Sequence, residues 1–256
     1  MKRLFFIILA VSVSILASCT KVINLPLKKD VQRIVIEGFI TKGETTHQVK
    51  ITKTLDFDVS TPYPVVENAN IKVEDNLGNT GVFTHIGNGI YEVTGFQGVE
   101  GRSYKLTVEH EGKYYVAEST MPREIILQDI AVIEIPFGGM SFTVAVPKWT
   151  DQAGETNYYH YQCYVNNELD EGIYLQDDSN QDGLTNEQPI SVGIESGDEL
   201  RIIMHNIDKK AYRYLYSIDA NTGSIASPAN PESNFGNGAL GYFAARCTSE
   251  KTITVP

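Results

Sequence analysis

The sequence predicts a mainly β protein: an N-terminal immunoglobulin-like β-sandwich followed by a second β-rich domain carrying one short helix. Three observations lead there. Residues 31–121 hold seven short apolar or alternating segments separated by turn residues, the spacing of a sandwich. Helical periodicity appears in one segment, near residues 208–220. Hydrophobic content of 42% with 10% aromatics suits a globular chain, not a disordered one.

Taken in order, the chain opens with Met1-Lys2-Arg3, an apolar run of thirteen residues from Leu4 to Leu16, and then Ala17-Ser18-Cys19. Positive charge, short apolar run and small residues are the layout of a secretory signal. The run is short for a membrane-spanning helix, which needs about 20 residues. Leu16-Ala17-Ser18-Cys19 resembles the bacterial lipobox, in which the Cys thiol takes a diacylglyceryl group. The expected organisation is a signal peptide over 1–18, a lipidated tether over 19–30, the sandwich over 31–121 and the C-terminal domain over 122–256. Two or more acyl chains hold a soluble body on a bilayer stably. Thr20 follows the Cys, so nothing resembles an inner-membrane retention signal, and the outer membrane is the expected address. Extended, residues 20–30 reach at most about 36–40 Å from the lipid.

The seven expected strands of the sandwich are Arg33–Ile40, Val49–Thr52, Ile71–Glu74, Val82–Ile86, Ile90–Thr94, Tyr104–Val108 and Tyr114–Ala117. Asn88-Gly89 is a strong hairpin signal, because both residues tolerate positive φ. Met121-Pro122 marks the expected boundary. Beyond it the strands are Ile125–Ile135, Phe142–Val146 (closed by Pro147), Tyr158–Val165, Ile190–Ile194 and Leu200–Met204, with Gly241–Ala245 and Thr252–Val255 at the end. Asp208 is a plausible N-cap; Ala211, Leu215 and Ile218 recur at helical spacing, and Asn221-Thr222-Gly223 supplies a stop.

Charge is unevenly distributed. Residues 1–18 carry two of the 21 basic residues and no acid, leaving 19 bases against 32 acids. Twelve of those acids fall between Trp149 and Leu200, a stretch without a single Lys or Arg. That excludes nucleic acid as a ligand of this face and suits cations or a basic partner; a solvated acidic surface is the alternative.

Within the acidic stretch, Asp178-Ser179-Asn180-Gln181-Asp182-Gly183 has the D-x-N-x-D-G form of a calcium loop, whose alternating oxygens wrap a hard cation. The candidate ligands are Asp178, Asn180, Asp182 and Asn186, with Asp177 available to complete the set. Pro189 stands where the bidentate Glu of an EF-hand would be, so a polar Asx-rich turn is the other reading. Cys163 and Cys247 either form a disulfide, since export is oxidising, or remain separate buried thiols. Tyr158, Tyr159 and Tyr161 are either a surface for a glycan or protein partner or part of a packed core. The five His residues fit no metalloprotease pattern, and no nucleophile elbow, P-loop or dinucleotide fingerprint occurs.

Several stretches resemble a Bacteroidota lipoprotein family called domain of unknown function 4249 (DUF4249). They are Cys19-Thr20-Lys21-Val22-Ile23, Ile34-Val35-Ile36-Glu37-Gly38-Phe39-Ile40, Ala69 to Asp75, Gly101 to Leu106, Asn157-Tyr158-Tyr159, Tyr212-Arg213-Tyr214-Leu215 and Ser233 to Phe243. The resemblance implies an outer-membrane lipoprotein of a kind that accompanies TonB-dependent transporters, and it implies no catalytic activity. Acidic residues commonly follow the Cys in surface-exported lipoproteins of that phylum; Thr20 and Lys21 do not match, so the periplasmic and extracellular faces both stay open.

Three functions follow as expectations. The first is a non-catalytic binding or accessory lipoprotein, partner of a TonB-dependent transporter. The second is a calcium-stabilised glycan-binding or adhesive module, taking Ca²⁺ and a glycan or peptide ligand. The third is a hydrolase whose acids meet only in space.

Overall fold

The computed structural model describes residues 31–55, 61–179, 181–222 and 231–256. The expected signal peptide, Cys19 and the tether lie outside the described residues, as does Asn180. Residues 32–256 form one compact unit.

Seven strands run through the first half: β1 (Ile34–Thr41), β2 (Thr46–Lys53), β3 (Asn70–Asp75), β4 (Thr80–Gly87), β5 (Ile90–Thr94), β6 (Ser103–His110) and β7 (Lys113–Thr120). Their alternating sequences become alternating burial. In β3, Ile71 and Val73 point inward while Asn70, Lys72 and Glu74 face solvent. Asn88 and Gly89 join β4 to β5 at φ 51° and 71°, as a two-residue hairpin requires. Ile36, Ile51, Val73 and Leu106 are fully buried, each worth about 1.5–3 kcal/mol of transfer free energy.

The remaining elements are β8 (Asp129–Phe137), β9 (Met140–Lys148), β10 (Tyr158–Val165), β11 (Glu168–Leu169), β12 (Tyr174–Asp177), β13 (Glu199–Ile207), helix α1 (Lys209–Thr222) and β14 (Leu240–Thr254). The long sheet runs β11-β10-β13-β14-β1-β2-β5-β4-β3-β6-β7, with β12 also on β10; β8 and β9 form a separate two-stranded sheet. The path turns back on itself, because β7 meets β14 where Ser119 Oγ accepts the Ala245 N–H at 2.7 Å. Side chains from β1 to β7 and from β14 thereby enclose one apolar cluster, the interior of a β-sandwich.

Strand β14 serves both halves. Its first part pairs in parallel with β1, from Val35↔Leu240 to Thr41↔Arg246. Its second part pairs antiparallel with β13, from Asn206↔Cys247 to Glu199↔Thr254. A second apolar cluster, centred on Trp149, Tyr159, Tyr161 and Leu200, lies where β10 and β13 pack on the base of β8–β9. Helix α1 covers the other side. Asp208 Oδ1 caps it, accepting the N–H groups of Lys210 and Ala211 at 2.8 and 2.9 Å. Ala211, Tyr214 and Leu215 then bury against Tyr242 and Ala244 of β14.

The strand map departs from the sequence expectation at four places. The expected pair 241–245 and 252–255 is one continuous fifteen-residue strand. Ile190–Ile194 buries Ile190, Val192 and Ile194 yet forms only a single bridge, Ile190↔Ala145, so its alternation reflects burial without a ladder. Pro147 does not close its strand; it sits inside β9 opposite Ile130, with Lys148 continuing the pairing. The acidic segment supplies two short strands, β11 and β12, both on the free side of β10. The expected helix stop at Gly223 lies outside the described residues.

Candidate functional site

The acidic stretch converges on one place. Asp151 follows β9, and Asp178 and Asp182 follow β12; oxygens of the three carboxylates all lie within 4.8 Å of one another. Asp178 and Asp151 are buried, at 1% and 8% exposure, while Asp182 faces solvent. Backbone N–H groups grip one oxygen of each: Asn157 N to Asp178 Oδ2 at 2.9 Å, Gly183 N to Asp151 Oδ1 at 2.9 Å and Gly154 N to Asp182 Oδ1 at 2.8 Å. The Asn157 side-chain amide bridges Asp178 and Asp151, at 3.1 and 3.4 Å. Burial, and then the adjacent Asp178 carboxylate, push the Asp151 carboxyl above the usual range. No Lys or Arg forms an ion pair with these three acids among the described residues.

Of the ligands read from the linear motif, Asp178 and Asp182 are in the cluster, and Asn180 lies outside the described residues. Asn186 is a correction. Its buried amide donates to Pro147 O at 2.7 Å and to Gln176 Oε1 at 3.0 Å, while its oxygen accepts Gln188 N–H at 3.1 Å, so it braces the backbone. Asp177 is also turned elsewhere, accepting from Ser179 and, at 3.4 Å, from the Tyr212 hydroxyl on α1. Asp151 was missed because it stands far back along the chain, and only the fold brings the two segments together, through the Thr150–Thr185 bridge and the Gly183 and Gly154 N–H bonds.

The tyrosines are a second correction. Tyr159 and Tyr161 are fully buried, not a partner surface. Tyr159 packs on Trp149 with ring centroids 3.9 Å apart. Tyr161 Oη accepts from Trp149 Nε1 at 2.7 Å and donates to Gln176 Oε1 at 2.8 Å. Tyr158, on the opposite face, packs on Tyr212 of α1 at 4.9 Å. Their parity followed the strand period, but α1 and the β8–β9 base cover both faces.

The disulfide is a third correction: Cys163 and Cys247 are both free and buried. Cys163 pairs with Ile202, and Ile202 pairs with Lys251, four residues beyond Cys247 on β14. Strand β13 lies between them, and four residues along a strand span about 13 Å, beyond the roughly 7 Å Cα limit of a disulfide.

An exposed apolar surface exists elsewhere. At the outer end of β8–β9, Ile133 pairs with Val144 and Ile135 with Phe142, while Glu134 pairs with Thr143. Directly paired residues share a face, so Ile133, Ile135, Phe142 and Met140 make an apolar stripe on one side of the ribbon. They are 42%, 38%, 49% and 63% exposed. Glu134 and Ser141, hydrogen-bonded at 3.1 Å, lie on the other side. Sequence reasoning read these residues as ordinary strand, since alternation alone does not reveal which face stays exposed.

Among the described residues no helix is long and apolar enough to cross a membrane. The fold and these surfaces define a β-sandwich protein extended by a second β layer, with an acidic edge cluster and a projecting amphipathic hairpin. The chain belongs to the family described as domain of unknown function (DUF4249), whose model matches residues 20–252. Among solved structures it is similar to a two fibronectin type-III domain segment from chicken tenascin, at 12% identity and TM-score 0.24, over 69% of this chain and 91% of that one. A DUF4785 family protein from Legionella pneumophila matches at 8% identity and TM-score 0.24, over 70% of this chain and 54% of that one. A comparison with curated proteins finds no match.

Proposed function

We propose that the protein is a non-catalytic bacterial lipoprotein of the outer membrane, anchored through Cys19, that docks on an integral membrane partner through the β8–β9 ribbon. The observation that carries the docking is the one-sided stripe of Ile133, Ile135, Met140 and Phe142. Contiguous exposed apolar side chains on a projecting element mark interaction surfaces, and the polar reverse face keeps the ribbon soluble. The anchor is supported by Leu16-Ala17-Ser18-Cys19 behind a short apolar run. The kind of partner, a TonB-dependent β-barrel transporter, is supported by the resemblance of the motifs to Bacteroidota lipoproteins of this family.

A photo-crosslinking residue placed at Ile135 or Phe142, with Leu77 as an exposed control on the sandwich, tests the reading in intact cells. The expected product is a crosslink to a large outer-membrane barrel from the ribbon positions and not from Leu77. Equal or absent crosslinking at all three positions would contradict it.

A further inference from the structure

We propose that Asp151, Asp178 and Asp182 form a calcium site that fastens the base of the β8–β9 ribbon to the loop after β12. The site stands apart from the anchoring and docking proposed above, and either can fail without the other.

The first ground is uncompensated charge. Three carboxylates whose oxygens lie within 4.8 Å repel one another, and two of them are buried. Buried charges in proteins are paired or coordinate metals. No Lys or Arg lies between Trp149 and Leu200 to pair with them. The backbone N–H groups hold one oxygen of each acid. Among the described residues, no N–H donor reaches Asp178 Oδ1 or Asp182 Oδ2, and the Asp151 carboxyl lies within hydrogen-bond reach of Asp178.

The second ground is independent of the acids. Tyr159 comes from β10, is fully buried, and its hydroxyl has no hydrogen-bond partner among the described residues. Tyr159 pairs with Gln176, two residues before Asp178, and its ring packs on Trp149, two residues before Asp151, so it stands beside the segments that carry both buried acids. A buried hydroxyl without a partner is uncommon and calls for an explanation such as an ion or its bound water. The Gln181 side-chain oxygen, between Asp178 and Asp182, is likewise buried and without a partner among the described residues.

The donor set selects the ion. Every group is an oxygen, which suits calcium and disfavours zinc, whose structural sites use His and Cys. Calcium accepts irregular sets of about 6–8 oxygens that include backbone carbonyls and water, whereas magnesium demands near-octahedral geometry. A bound ion would hold the segment leaving β9 at Trp149–Asp151 against the 178–183 loop, and so fix the root of the ribbon.

The test uses the full chain stripped with chelator and titrated calorimetrically with calcium chloride, then magnesium chloride, alongside thermal melts. The expected result is one calcium bound per chain and a raised Tm. Asp182→Asn, at an exposed position, should weaken calcium about tenfold or more, whereas Asp177→Asn should not. Terbium as a calcium stand-in should luminesce when Trp149 and Tyr159 are excited, and Asp182→Asn should remove that signal. Four results would each overturn the proposal: no heat and no Tm shift at millimolar calcium, magnesium binding as tightly as calcium, equal effects of Asp182→Asn and Asp177→Asn, or terbium luminescence that survives Asp182→Asn.

Discussion

The Ser119 hydroxyl on β7 donates to the Asp208 carboxylate, and the same oxygen accepts the Ala245 N–H of β14. Two side chains thus join the far edge of the sandwich, the strand shared by both halves and the start of α1. Removing the cap with Asp208→Ala should cost about 1–2 kcal/mol, read from urea unfolding. Because the pair is in contact, a double-mutant cycle with Ser119→Ala should show coupling of at least about 0.5 kcal/mol. Additive effects would mean that the contact contributes little.

Gly241 makes the parallel pairing of β1 and β14 possible. Its φ is +91°, and a Cβ there would stand 2.0 Å from the Ile36 carbonyl oxygen. Gly241→Ala should therefore destabilise by at least about 2 kcal/mol through strain and a broken ladder. Gly193, where an added Cβ meets nothing within 4 Å and φ is ordinary, provides the control; its Ala variant should change stability by no more than about 0.5 kcal/mol. Similar losses in the two variants would show that β1 and β14 do not approach this closely.

Acid should weaken the fold in a defined window. Burial, with Arg246 nearby, pushes His160 down to about 4, and burial lowers His205 well below its ordinary value; His47 is lowered too, mainly by burial. A histidine with a depressed folded pKa binds more protons unfolded than folded between the two pKa values. Its stability contribution is complete above about pH 6.5 and is lost as pH falls toward about 4. Asp75 is expected to act only at lower pH. Burial alone would raise its pKa, but donors from Asn79, Leu77 and Arg102 outweigh that and hold it below the usual carboxylate range. Urea midpoints should therefore fall between about pH 6.5 and about pH 4, and His160→Gln should flatten the decline. A flat profile across that window would refute the burial of these rings.

Both thiols are pushed up to about 12 by burial, which suppresses the reactive thiolate. Alkylation should be slow in the native protein. In denaturant without reductant, Cys163 and Cys247 should both label in full. Labelling that appears only after reduction would show that they are bridged.

Much of the sandwich was legible in the sequence because β2, β3 and β5 to β7 each bury one face, and their turns need residues such as Asn88 and Gly89. The pairing of β1 with β14 was not, because it joins positions such as Val35 and Leu240 at opposite ends of the chain. For the same reason the last strand read as two. Ile190–Ile194 shows the converse, burial that mimics a strand without a ladder to join.

The site was half legible. Asp178 and Asp182 stand in a recognisable turn, but Asp151 reaches them only through the fold. Asn186 fits the motif position by spacing, yet the polar chain from Trp149 through Tyr161 and Gln176 consumes its amide. The tyrosines alternated as a strand should, and no linear pattern shows which faces another element will cover.

If lipid at Cys19 holds this β-built body on a membrane, as proposed, metabolic labelling with palmitate should mark the wild-type chain and leave Cys19→Ser unmarked. That variant should also leave the membrane fraction. An unlabelled wild-type chain, or label that persists in Cys19→Ser, would contradict it.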